Sequence, residues 1–316
     1  MTEPLLPAPP DAVHDRRDGL GYAMVAVAAT LFAINGTVSK VILGSGLSSL
    51  QLSEVRSTGA FVGLGVGLAV LAPRRLRVRA RELPFLAVFG IFGLAFVQLF
   101  YFLAINRLPI GVALLIQYLA PLLIALYART FMHEHVRPRI WVALVLALGG
   151  LTLVVQLWRG LTVDGAGLAA CLVAAVTYAL YVLLAERGVR TRDPISLSAY
   201  GFLFAALFWA VVRPWWRFPG GLVTRDVSLL GNLDGVHVPA WALVGWMIVL
   251  GTIVPFALVV GALRHVSATR AGIVAMLEPV AATVVAWVWL GESLGFFQLF
   301  GGFVVLCAII LAQTSR

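Results

Sequence analysis

Two residues with separate reasons to avoid a membrane helix stand side by side in an apolar run. The run is MLEPVAATVVAWVWLGES, residues 276–293, and the pair is Glu278 and Pro279. A carboxylate at the centre of a membrane span costs about 2.5–3.5 kcal/mol on insertion scales, so it faces a bundle interior or a wet cavity. There it can hold a substrate ammonium, take up a proton, or serve as a structural acceptor; the residue type leaves all three open. Proline removes one backbone hydrogen bond and clashes with the preceding turn. Pro279 therefore frees the carbonyl of residue 275. Pro121, in YLAPLLIALYARTFMHEH (118–135), frees that of residue 117. A freed carbonyl at membrane depth must face a cavity, water or a side-chain donor. Both prolines read as hinges, and Pro255 in GTIVPFAL is a third.

Other polar residues sit within apolar segments: Asn35, Gln98, Tyr101, Gln117, Tyr118, Thr177, Tyr178, Tyr181, Tyr200 and Thr252. Amides and phenols are costly in lipid unless partnered. Each can line a cavity or bond a neighbouring helix. As a set with Glu278 they describe a weakly polar, aromatic site with one acid. Such a site suits a small amphipathic solute, such as a zwitterionic amino acid with an apolar side chain. A strongly anionic solute calls for a buried Arg or Lys cluster. Arg56 and Lys40 lie near the outer ends of the second and first segments, with Glu54 as a local partner for either. His133 and His135 flank Glu134, but histidines at i and i+2 do not share a helix face, so no metal site is expected. No P-loop, GxSxG, HExxH or GxGxxG motif stands in a usable loop. Neither an enzyme site nor a cofactor is expected, and the chain binds no ATP as an energy source.

The elements that must position these residues are membrane helices. Hydrophobic residues make up 61% of the 316, and charged residues only 12%. A soluble domain carries roughly twice that charge. Ten apolar segments approach the ~20 residues of a spanning helix: 20–43, 51–71, 83–105, 110–131, 139–158, 165–186, 195–213, 240–262, 270–290 and 296–313. They are too long and too uniformly apolar for barrel strands. Residues 214–239 form the one longer polar loop, with Trp215 and Trp216 as interface markers. Residues 1–19 read as a disordered cytoplasmic tail. Placing both termini in the cytoplasm puts most of the 23 basic residues inside, led by RRLRVRAR at 74–81. The net charge of +9 thus reads as membrane orientation rather than nucleic-acid binding. Glycines at 59, 63 and 67 permit close packing of the second segment, and monomer and homodimer both stay open.

The chain also repeats itself. Pro121 aligns with Pro279, and Glu134 with Glu292, at one offset of 158. Ala104 aligns with Ala262, and ATLFA (29–33) resembles AVTYA (175–179). Each half, 20–158 and 165–313, holds five segments. Five is odd, so the second half is expected upside down relative to the first, as in many secondary transporters. The acid at 278 has Ala120 as its counterpart and breaks this symmetry.

The LAP…HE and LEP…LGESL motifs, with Gly301-Gly302, TLFAINGTVSK (30–40) and SEVRSTGAF (53–61), resemble the EamA-type branch of the drug/metabolite transporter superfamily over about residues 20–313. HEH (133–135) departs from the GES of the second half. The resemblance implies an all-α membrane protein of ten helices with both termini inside, in the cell membrane. It implies a cavity between helices 1–4 and 6–9, with helices 5 and 10 peripheral, and transport of small metabolites. The expectation is a secondary transporter exporting amino acids or similar solutes by alternating access, with protons as the candidate coupling ion. Multidrug or toxic-cation efflux is the alternative, and a membrane enzyme or scaffold the reading from another class.

Overall fold

The computed structural model describes residues 18–105, 107, 110–133, 136–156, 164–213, 220–291 and 295–313. Glu134, His135, Trp215, Trp216, Glu292 and residues 1–17 of the expected tail lie outside the described residues. The matched acids and the loop tryptophans are therefore not placed.

The described chain is almost entirely helical. The first helices are α1 (Asp18–Gly44), α2 (Ser49–Leu71), α3 (Leu83–Val88), α4 (Phe96–Ile105), α5 (Ile110–Gln117), α6 (Ala120–Thr130) and α7 (Pro138–Val155). Then come α8 (Gly165–Val189), α9 (Pro194–Val212), α10 (Gly220–Val223), α11 (Ala240–Ile248), α12 (Val254–Ala262), α13 (Ala268–Ala275), α14 (Leu277–Leu290) and α15 (Phe296–Gln313). Among the described residues, eight helical rods are long and apolar enough to cross a membrane. Two apolar helices are shorter, Pro138–Val154 and Phe296–Ala312. These stand where 139–158 and 296–313 were expected to span. The loop expected at 214–239 holds α10 and an antiparallel pair, β1 (Asp226–Ser228) and β2 (His237–Pro239), with Val227 opposite Val238.

Local sequence sets the helix starts. Ser48 and Gln51 form a capping box at α2, each side chain bonding the other's backbone N–H. Asp164 accepts from Gly167 N–H at 2.8 Å at the start of α8. That bond, aided by Arg107, holds the Asp164 carboxyl below the usual range. Asp193 caps α9, whose first residue is Pro194.

Two kinds of irregularity recur in both halves. The rod α3–α4 carries a π-helical turn at Phe89–Ala95, and the rod α11–α12 carries one at Val249–Ile253. Their ends, Ala95 and Ile253, are related by the sequence offset of 158. The second kind is a break. One lies between α5 and α6 at Tyr118–Leu119, the other between α13 and α14 at Met276. Gln117 ends α5 and Ala275 ends α13, so the helices break at the carbonyls that Pro121 and Pro279 deprive of a donor.

Close contacts between the halves pass through small residues. A Cβ on Gly251 would meet Asn35 of α1, and one on Gly93 would meet the backbone of Tyr181 of α8 at 3.3 Å. Gly93 and Gly251 are counterparts at the offset of 158, and Asn35 matches Tyr181 when ATLFA is laid on AVTYA. Away from these rods, α7 and α15 pack along each other. A Cβ on Gly150 would stand 2.8 Å from Gly301 O, and one on Gly301 would stand 2.6 Å from Gly150 O. Apolar burial gains little against lipid, so such contact rests on tight backbone packing.

Overpacking a close contact of this kind costs about 1–3 kcal/mol. Gly150→Leu is therefore expected to destabilise the detergent-solubilised protein by that amount. Gly149 meets nothing within 4 Å, so Gly149→Leu is expected to leave stability nearly unchanged. Denaturant unfolding of the two variants side by side checks the difference.

Candidate functional site

The helix break before Pro279 creates the site's acid. Because α13 ends at Ala275 and α14 restarts at Leu277, Glu278 falls in the first turn of a half-helix at membrane depth. Free N–H groups and the positive end of the helix dipole favour an anion there. Glu278 is enclosed by protein yet keeps part of its surface open, the combination expected of a cavity wall. Tyr118 donates its hydroxyl to Glu278 Oε2 at 2.7 Å. Tyr118 is the turn residue of the other break, and its counterpart is Met276. Both partners in this bond thus depart from the repeat: Tyr118 faces Met276 across it, and Glu278 faces Ala120.

An aromatic chain leads inward from this bond. The ring of Tyr118 lies 6.4 Å from Tyr178, Tyr178 lies 6.0 Å from Tyr181, and Tyr181 lies 5.7 Å from Phe256. Phe32 and Phe202 both meet Phe256 edge-on, at 5.2 and 5.3 Å. The guanidinium of Arg56 sits over the same ring at 5.8 Å. Arg56 Nε donates to Thr252 Oγ1 at 2.7 Å, and Nη2 donates to Gly251 O at 3.0 Å. Thr252 in turn donates to Met247 O at 2.9 Å. Proline supplies the reason for this arrangement. Pro255 has no N–H to give to Leu250 O or Gly251 O, the carbonyls five and four residues earlier at the exit of the π turn. Arg56 supplies the missing donor. Arg56, Tyr101 and Glu278 lie within electrostatic reach of one another.

Asn35, Tyr101, Tyr118, Tyr178, Tyr181, Thr252 and Glu278 are linked by these contacts. Asn35 Oδ1, both polar atoms of Gln98, Gln117 Oε1 and the Tyr181 hydroxyl are buried with hydrogen-bonding capacity that no described residue uses. Thr177 bonds the carbonyls of Val173 and Ala174 on its own helix. Tyr200 does not join the cluster. Its hydroxyl donates to Leu76 O at 2.6 Å, and Arg192 covers its ring at 5.0 Å, so it anchors the loop after α2. One charge assignment also changes. Glu54 meets Arg213 at 3.9 Å rather than Lys40 or Arg56; residues two apart on a helix point to different faces. Arg56 lies near the start of α2 as expected, and it is 9% exposed. The signal that could have found it was Pro255, because an orphaned carbonyl at 251 requires a donor.

The end of the bundle that carries the arginine-rich loop is tied by charge. Asp193 meets Arg75 at 3.2 Å and Arg264 at 4.0 Å, and Arg192 meets Glu82 at 3.1 Å. Arg192 also donates to Arg77 O at 2.7 Å. These links join segments from both halves. At the other end, Trp289 Nε1 donates to Leu229 O at 2.8 Å and Asn232 Nδ2 to Val288 O at 3.0 Å. They fix the β1–β2 hairpin region to the end of α14.

Removing a hydrogen bond to a charged acceptor costs about 1.5–3 kcal/mol. Tyr118→Phe is expected to lower unfolding stability by that amount. Tyr178→Phe keeps the ring contacts and is expected to change stability by about 0.5 kcal/mol or less. Equal effects in equilibrium unfolding would contradict the assignment of the Tyr118–Glu278 bond.

With this geometry in place, comparison with known proteins supplies the family. The model of the EamA-like transporter family matches residues 19–156 and again 165–314. The chain is 28% identical over 298 residues to an uncharacterized transporter of Archaeoglobus fulgidus, covering 92% of this chain and 96% of that one. It is 29% identical over 254 residues to the threonine/homoserine exporter RhtA of Salmonella typhimurium, covering 80% of this chain and 77% of the relative. A crystal structure with 19% identity superposes with a TM-score of 0.72 over 92% of this chain and 96% of that chain, which shows a shared fold. The relatives' names point to a transporter rather than an enzyme. The chain is an integral membrane protein and belongs to the EamA-like transporter family.

Proposed function

We propose that this protein is a secondary transporter that exports amino acids or similar small amphipathic solutes across the cell membrane. The observation that carries the reading is Glu278: a carboxylate in the first turn of a broken membrane helix, bonded to Tyr118 of the first half. An intramembrane acid in such a place is a functional site by default. RhtA, named as a threonine/homoserine exporter, supports the solute class. In this reading α7 and α15 cross the membrane with the eight longer rods, giving ten spans and cytoplasmic termini. The two halves are inverted repeats that rock about the site. The matched π turns, the matched breaks and the reciprocal glycine contacts support that symmetry.

Glu278 can hold either a substrate ammonium or a proton, and exchange between the two couples export to an inward proton gradient. The toxic-cation alternative is the weaker one, because Arg56 sets a positive charge within reach of the same carboxylate. Efflux from loaded proteoliposomes, assayed over a panel of L-amino acids, tests the reading. An inward proton gradient is expected to accelerate release of at least one of them. Glu278→Gln is expected to slow that release about 10- to 100-fold, the equivalent of one charged hydrogen bond, and to abolish its dependence on the gradient. Release of no amino acid, or undiminished gradient-driven release by the variant, overturns the proposal.

A further inference from the structure

We propose that Arg56 is the carboxylate anchor of this site, so that the transporter selects solutes bearing a carboxylate and an ammonium together. The inference deepens the amino-acid reading and rests on it.

A guanidinium presents five N–H donors in a planar fork. In Arg56 the side edge is committed: Nε bonds Thr252 and Nη2 bonds Gly251 O. Nη1 and the second Nη2 hydrogen form the end-on fork, the edge that pairs with a carboxylate through two parallel bonds. Among the described residues no carboxylate lies within ion-pairing distance of Arg56, although the residue is 9% exposed. A buried cation left without a counter-ion is costly. The two bonds and the Phe256 ring beneath the guanidinium hold it in one orientation. An immobilised fork loses little further freedom when it binds.

The counter-charge stands apart. Glu278 lies within electrostatic reach of Arg56 but accepts its hydrogen bond from Tyr118 instead. Glu278 and Arg56 are thus one negative and one positive group that interact without an ion-pair contact between them. An α-amino acid matches both poles. Its carboxylate completes the Arg56 fork and its ammonium meets Glu278. The loaded site carries no more net charge than the empty one, which favours carriage through a low-dielectric medium. A plain amine satisfies Glu278 and leaves Arg56 unmatched, and a plain carboxylate does the reverse.

Arg56 also has a duty to the backbone, since it supplies the donor that Pro255 denies to Gly251 O. The test must separate these two roles. Proteoliposomes are assayed with each L-amino acid and its methyl ester, which removes the anionic carboxylate and keeps the ammonium. The wild-type protein is expected to carry at least one amino acid about 10- to 100-fold faster than its ester, the weight of a bidentate charged pair. The second protein is the double variant Arg56→Gln with Pro255→Ala. The change from proline to alanine returns an N–H at residue 255 to the exit of the π turn, so the backbone there no longer depends on Arg56 alone. In this variant the preference is expected to fall to about threefold or less, whereas Pro255→Ala alone is expected to retain discrimination. If wild-type protein carries neither acids nor esters, the amino-acid reading itself falls. If it carries both alike, or if the double variant still discriminates, transport stands and the role of Arg56 is overturned.

Discussion

A backbone carbonyl at membrane depth must find a donor, and three prolines in this chain each deny one. The penalty for leaving such a group bare is several kcal/mol, and at Gly251 O the structure meets it with Arg56. Pro121 and Pro279 end helices at Gln117 and Ala275 and open the two breaks. Pro255 leaves Gly251 O to a side chain from another helix, Arg56. The breaks create the half-helix start on which Glu278 sits, and the third carbonyl brings a cation into the interior. The polar chemistry of the site follows from how the backbone is satisfied.

The two halves share this solution but do not use it identically. Their π turns, breaks and glycine contacts fall at matching positions. A hydrogen bond between a residue and a partner in the other half has a counterpart wherever the repeat is kept. The Tyr118–Glu278 bond has none, because its counterpart would join Met276 to Ala120. The Tyr118–Glu278 bond thus departs from the symmetry that the π turns and breaks keep. A site with identical halves would hold one sign of charge on both walls. Here an acid stands in the second half and a guanidinium in the first.

Much of this was legible in the sequence. Hydropathy located the apolar segments, and the proline rule pointed to freed carbonyls near residues 117 and 275, where α5 and α13 end. Scarcity of polar residues marked most of the cluster. What stayed hidden depended on direction rather than composition. Position near the end of α2 does not reveal that Arg56 bonds Thr252 and Gly251 O of another helix. Glu54 was paired by nearness in sequence, whereas its partner Arg213 comes from the end of α9. Tyr200 resembles the other buried tyrosines, but its acceptor is a loop carbonyl, Leu76 O, far away in the chain. The π turns left no mark in hydropathy, since an extra residue in one turn changes register and not polarity.

The β1–β2 hairpin region gives the second half an attachment that the first half lacks among the described residues. The bond Asn232 donates to Val288 O and the bond Leu229 O accepts from Trp289 grip the last turns of α14, the helix whose first turn bears Glu278. A helix of 14 residues is about 21 Å long, and a rigid rod transmits a tilt at one end to the other. A binder clamped to the hairpin would therefore act as a brake on the carboxylate without entering the site.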